Sequence, residues 1–90
     1  MFNNYHQYLS SKKTLVGGVA LRFTFPNGYT GSVIRHLGSY GHAYGLWEID
    51  VMHGNEFVYD TPITDDFIGW LTNEEVEHIL QQIRELPPRK

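Results

Sequence analysis

Val19-Ala20-Leu21-Arg22-Phe23-Thr24-Phe25, followed by Pro26-Asn27-Gly28, decides the fold. Val19, Leu21, Phe23 and Phe25 fall on one side of an extended chain, and Ala20, Arg22 and Thr24 on the other. That period of two marks a strand with one buried face. Proline presets the turn and Asn-Gly tolerates positive φ, so the chain reverses into a second strand from Tyr29 to His36. Gly31 inside that strand predicts a bulge or a close backbone approach.

Further on, Leu46-Trp47-Glu48-Ile49-Asp50-Val51-Met52 alternates again, with Trp47, Ile49 and Val51 toward the core and Glu48 and Asp50 toward water. His53-Gly54-Asn55-Glu56 is a turn, and Phe57-Val58-Tyr59 a short returning strand. Four antiparallel strands in sequence make a meander. Thr72 and Glu75 then form a capping box, and Val76, Ile79, Leu80, Ile83 and Leu86 recur at helical spacing. Glu74, Glu75 and Glu77 crowd the first turns, Arg84 lies near the end, and Pro87-Pro88 stops the helix. The expected architecture is α+β, a four-stranded antiparallel meander packed against a C-terminal amphipathic helix.

Residues 1–18 read as an N-terminal arm or short helix ahead of a single domain at 19–90. Tyr5, Tyr8 and Leu9 share one face of a helical turn, Ser10-Ser11-Lys12-Lys13 is a polar break, and Gly17-Gly18 is a joint. Such an arm docks its aromatics on the sheet, trails as a tail, or is exchanged with a second copy.

Composition narrows the class. Ninety residues, 41% hydrophobic and 19% charged, describe one globular domain rather than a disordered chain. A chain this short buries only about 60–65% of its unfolded surface, which leaves a homodimer open as a source of further burial. Without cysteine there are no disulfides, thiolate nucleophiles or Cys-type zinc sites. A net charge of −3 without clustered Lys and Arg argues against nucleic acid. No apolar run is long enough for a membrane span and no signal-peptide pattern opens the chain, so the expected location is cytoplasmic.

Asp60, Asp65 and Asp66 surround Thr61-Pro62-Ile63-Thr64, but their spacing is not that of a calcium loop. They read as caps, Asp60 for the turn and Asp65 or Asp66 for a short helical turn through Phe67-Ile68-Gly69-Trp70. His6, His36, His42, His53 and His78 form neither H-E-x-x-H nor H-x-H. Ser32 and Ser39 lie outside any G-x-S-x-G elbow. The chain therefore reads as non-enzymatic, with no metal and no cofactor.

The remaining feature is Gly38-Ser39-Tyr40-Gly41-His42-Ala43-Tyr44-Gly45. A long loop in a small sheet loses conformational entropy on ordering, so it points to contact with a partner. Tyr40, His42 and Tyr44 alternate with small residues and form a candidate contact set. Arg35, with Arg22 on the polar strand face, adds a basic patch. Alternatively the rings fold back as a lid on Trp47 or Trp70.

Phe25-Pro26-Asn27-Gly28-Tyr29, Ser32-Val33-Ile34-Arg35, Gly38-Ser39-Tyr40-Gly41, Gly45-Leu46-Trp47-Glu48 and Tyr59-Asp60-Thr61-Pro62-Ile63-Thr64 together resemble small proteins of tailed bacteriophages and prophages, over roughly residues 23–86. The resemblance implies a protein that binds a host or phage protein, including components of host defence, in the host cytoplasm. It carries over no catalytic residues. A nucleotide or small-ligand binder with the loop as lid, and a homo-oligomeric structural component, are the other expectations.

Overall fold

The computed structural model of the chain describes residues 2–39, 41–63 and 67–89. A 3-10 turn, Asn3–Tyr8, leads into strands β1 (Leu9–Leu15), β2 (Gly18–Thr24), β3 (Tyr29–Arg35) and β4 (Trp47–His53). A second 3-10 turn, His42–Tyr44, lies in the loop before β4. Two short strands, β5 (Glu56–Phe57) and β6 (Ile68–Leu71), precede the helix α1 (Asn73–Arg84). The fold is α+β. Among the described residues the sheet has six antiparallel strands, β1 to β5 in chain order with β6 on β4. No helix among them is long and apolar enough to cross a membrane.

The sheet is wider than the expected four strands, in two places. Ser10 to Lys13, read as a polar break in an arm, belong to edge strand β1, with Lys12 opposite Leu21 and Thr14 opposite Val19. Most of β1 is exposed, so no apolar alternation marks it in the sequence; its register against β2 makes it a strand. Ile68 to Trp70, read as part of a helical turn, belong to β6 and pair with β4. Asp65 and Asp66, expected as its caps, lie outside the described residues.

Gly31 marks a close approach rather than a bulge, because the register of β3 with both neighbours runs unbroken through it. A Cβ there would stand 2.7 Å from Leu80 Cδ2, so its bare backbone is where α1 sinks onto the sheet. Val76, Ile79, Leu80 and Ile83 are the buried residues of α1. The helix starts where Thr72 Oγ1 accepts from Glu75 N at 3.2 Å and Glu75 Oε1 accepts from Thr72 N at 3.0 Å. Those bonds hold the Glu75 carboxyl below its ordinary pKa.

The N-terminal aromatics complete the core on the same face. Phe2 packs edge-on against Phe23 and Trp47, with ring centroids 6.1 and 5.1 Å apart. Tyr8 lies 4.9 Å from Phe25, and the Tyr5 hydroxyl donates to Gln81 Oε1 at 3.1 Å. Burial raises the pKa of that hydroxyl. Trp47 is fully buried and its Nε1 donates to Asn73 Oδ1 at 2.7 Å, which supplies the partner a buried indole requires.

Candidate functional site

Arg35 ends β3 and Trp47 begins β4; the Gly/aromatic loop spans the gap between them. It is fastened at four points. Leu37 N donates to Val16 O at 2.9 Å, tying the loop to the β1–β2 turn. His42 Nε2 lies 3.1 Å from Gly17 O in the same turn. Ser39 Oγ donates to His36 O at 2.9 Å and accepts from His36 N at 3.0 Å, closing the loop's first bend. Arg35 Nη1 donates to Gly45 O at 2.9 Å, with its guanidinium 4.1 Å from the centre of the Trp47 ring.

Arg35 does not share a face with Arg22. Val19 pairs with Arg35 and Arg22 with Ser32, so the alternation carries Arg35 to the helix side and Arg22 to the opposite side. The basic patch expected from the two arginines does not form. An arginine at the end of a strand can rest on an indole face by cation–π attraction, and residue type alone conceals that.

Gly41 shapes the loop's second half. It is buried at φ 87°, and a Cβ would stand 2.9 Å from Leu46 Cβ and 3.2 Å from Trp70 Cα. The loop backbone therefore lies directly on β6. From this base the turn His42–Tyr44 lifts Tyr44 into solvent, 75% exposed. Its ring centroid is 5.8 Å from that of Trp70, itself 54% exposed. Tyr44 thus rests against Trp70, which stays half exposed, while Trp47 packs against Phe2 and Arg35. Tyr40 lies outside the described residues.

Trp70 is the residue the sequence did not single out as a contact. Between Trp47–Leu71 and Ile49–Ile68 the register shifts, so β6 carries one more residue than the β4 segment it faces. Within that bulge Trp70 has φ 61°. A left-handed backbone is unfavourable by about 1–2 kcal/mol for an L-residue, and bulky side chains rarely adopt it. The strained turn swings a large apolar ring outward beside Tyr44. Val16 and Leu37, both exposed, extend the surface past His42.

The groups nearest to acid–base chemistry here are tied to backbone. His36 Nδ1 lies 2.7 Å from Leu37 O, and the ring contact of His42 and the hydroxyl contacts of Ser39 are those to main chain given above. Among the described residues no three His, Asp or Glu side chains converge on a point. Asp60 instead pairs with Arg89, whose Nε donates to the Tyr29 hydroxyl at 3.1 Å. The hydrogen bond from Arg89 holds the Asp60 carboxyl below its ordinary pKa.

Tyr44, His42 and Trp70 line an open hollow of about 300 Å³. It is shallow, with the Tyr44, Trp70 and His42 rings and glycine backbone for walls. No family model matches the chain, and neither does any curated protein or solved structure.

Proposed function

We propose that the chain is a non-enzymatic protein-binding module whose contact surface is the 38–45 loop together with Trp70. The observation that carries this reading is the Tyr44–Trp70 pair: two large rings held side by side in solvent, one on a backbone that disfavours it. Strain kept at an exposed aromatic is characteristic of a functional position. Tyr and Trp are also the side chains enriched among binding hot spots. His42 and Arg35 serve as positioning residues, His42 on the β1–β2 turn and Arg35 on Gly45. The phage-type resemblance suggests a bacterial host protein as partner, with inhibition of a defence component as the outcome.

The test compares the tagged chain with Tyr44→Ala/Trp70→Ala as bait in bacterial lysate, after thermal melts establish that both are folded. One protein retained by wild type and lost by the folded variant supports the module and locates its surface. Equal retention by both moves the contact away from these rings.

A further inference from the structure

The face of the sheet away from α1 holds a cavity of its own. Ser11, Arg22, Ser32 and Asp50 stand in one row across four strands, each opposite the next. All four line a cavity of about 290 Å³ on the face away from α1. Phe57 from β5 lines it as well, although β1 and β5 lie at opposite ends of the strand order. The sheet therefore curls, and this face is concave. Ser32 forms its floor, only 7% exposed with no helix above it.

The walls are chemically unequal. Lys13 joins Arg22 on the β1–β2 side, and among the described residues neither cation has an ion-pair partner. Ala20, Ile34 and Phe57 give the cavity an apolar stretch. Asp50 lies two strands from Arg22, about 10 Å across the sheet at the usual strand spacing.

We propose that this cavity binds a small molecule with an anionic head on a flat apolar body. The head meets Lys13 and Arg22, the body lies over Ala20 and Ile34 against Phe57, and Ser11 and Ser32 supply hydroxyls. Lys13 and Arg22 are both exposed, so they attract the anion at a range that salt shortens, and the apolar stretch supplies the rest of the contact. The volume sits at the lower bound for small-molecule pockets, which fits an aromatic acid or a mononucleotide and excludes a dinucleotide. No lining residue belongs to the 38–45 loop or to β6, so this site and the proposed protein contact stand or fall separately.

The test is a titration of the isotope-labelled full chain followed by amide NMR. Adenosine monophosphate and indole-3-acetate are the probes, with adenosine and indole-3-acetamide as their uncharged counterparts. Saturable shifts centred on Ser11, Ala20, Arg22 and Ser32 are expected with at least one of the anions and with neither neutral compound. Response to the nucleotide alone assigns a phosphate head; response to the acid alone assigns a carboxylate.

Lys13→Gln/Arg22→Gln should weaken binding about tenfold or more, the usual effect of losing charge-assisted hydrogen bonds. Ala20→Phe, which fills the cavity and keeps both charges, should abolish it. Either variant suffices as the test if the other fails to fold. No saturable shift with either anion, shifts centred elsewhere, or unchanged affinity in a folded variant overturns the proposal.

Discussion

The side-chain amide of Asn27 donates to the main-chain oxygen of Ile83 at 2.8 Å. It also reaches Arg84 O at 3.1 Å and Leu86 O at 2.9 Å, while Oδ1 accepts from Tyr29 N at 3.0 Å. The turn between β2 and β3 thus closes the C-terminal end of α1, where carbonyls have no partner within the helix. Asn27→Ala should destabilise the fold by about 1–3 kcal/mol. Each kcal/mol lowers Tm by roughly 4–8 °C in a domain this size. A thermal melt checks it; an unchanged Tm would mean that water replaces the cap without loss.

At position 70 the ordinary order of substitutions should invert. Within a strand glycine is usually less stable than alanine, but at φ 61° a Cβ is the liability. Trp70→Gly should therefore melt above Trp70→Ala, by an amount equivalent to about 1 kcal/mol. Both variants should lose the proposed protein contact. Alanine proving the more stable would mean that the left-handed backbone is not retained in solution.

Residues 2–15 should not be removable without loss of the fold. Phe2 is buried against Phe23 and Trp47, and β1 pairs along β2. Phe2→Ala alone should cost about 3–5 kcal/mol, a large part of what a small domain possesses. Deleting residues 1–15 should abolish cooperative unfolding in a denaturant titration. A truncated chain that still melts cooperatively would restore the arm as a dispensable segment.

Two exposed carboxylates should give the fold a modest sensitivity to acid. Asp60, bonded to Arg89, and Glu75, bonded to Thr72, both have folded-state pKa values below their ordinary ones. Groups depressed in the folded state contribute stability that is fully present above their unfolded values, roughly pH 4. That contribution is lost as pH falls through the depressed values. Asp60→Asn and Glu75→Gln should flatten the acid limb of a plot of Tm against pH and leave its neutral region's slope unchanged. An acid limb as steep as wild type would assign the sensitivity to other groups.

β2 was legible from its alternation and α1 from the helical spacing of its buried residues Val76, Ile79, Leu80 and Ile83; β3, whose first five residues are all buried, was legible from the Pro26-Asn27-Gly28 turn before it. β1 was not, since Ser11 to Thr14 are polar whichever way they point and their pairing comes from β2. β6 was hidden by its bulge, which breaks the alternation between Ile68 and Leu71. Of the candidate site, Tyr44 was legible from its glycine-flanked loop. Trp70 was not, because a backbone dihedral set by strand register leaves no mark on residue type. Gly31 was legible as a special position, and the helix facing it explains why.

Tyr5 meets Gln81 across 76 positions of sequence, and this has a kinetic meaning. On the ribosome, the strands emerge before the helix that covers them. Until residues 73–84 have cleared the exit tunnel, the apolar side of the nascent sheet has no lid and the first aromatics have nothing to close against. Topologies that depend on such distant pairings fold slowly and expose sticky surface while they wait. The chain should therefore gain its structure in one late step, after release of the helical segment, rather than strand by strand during synthesis.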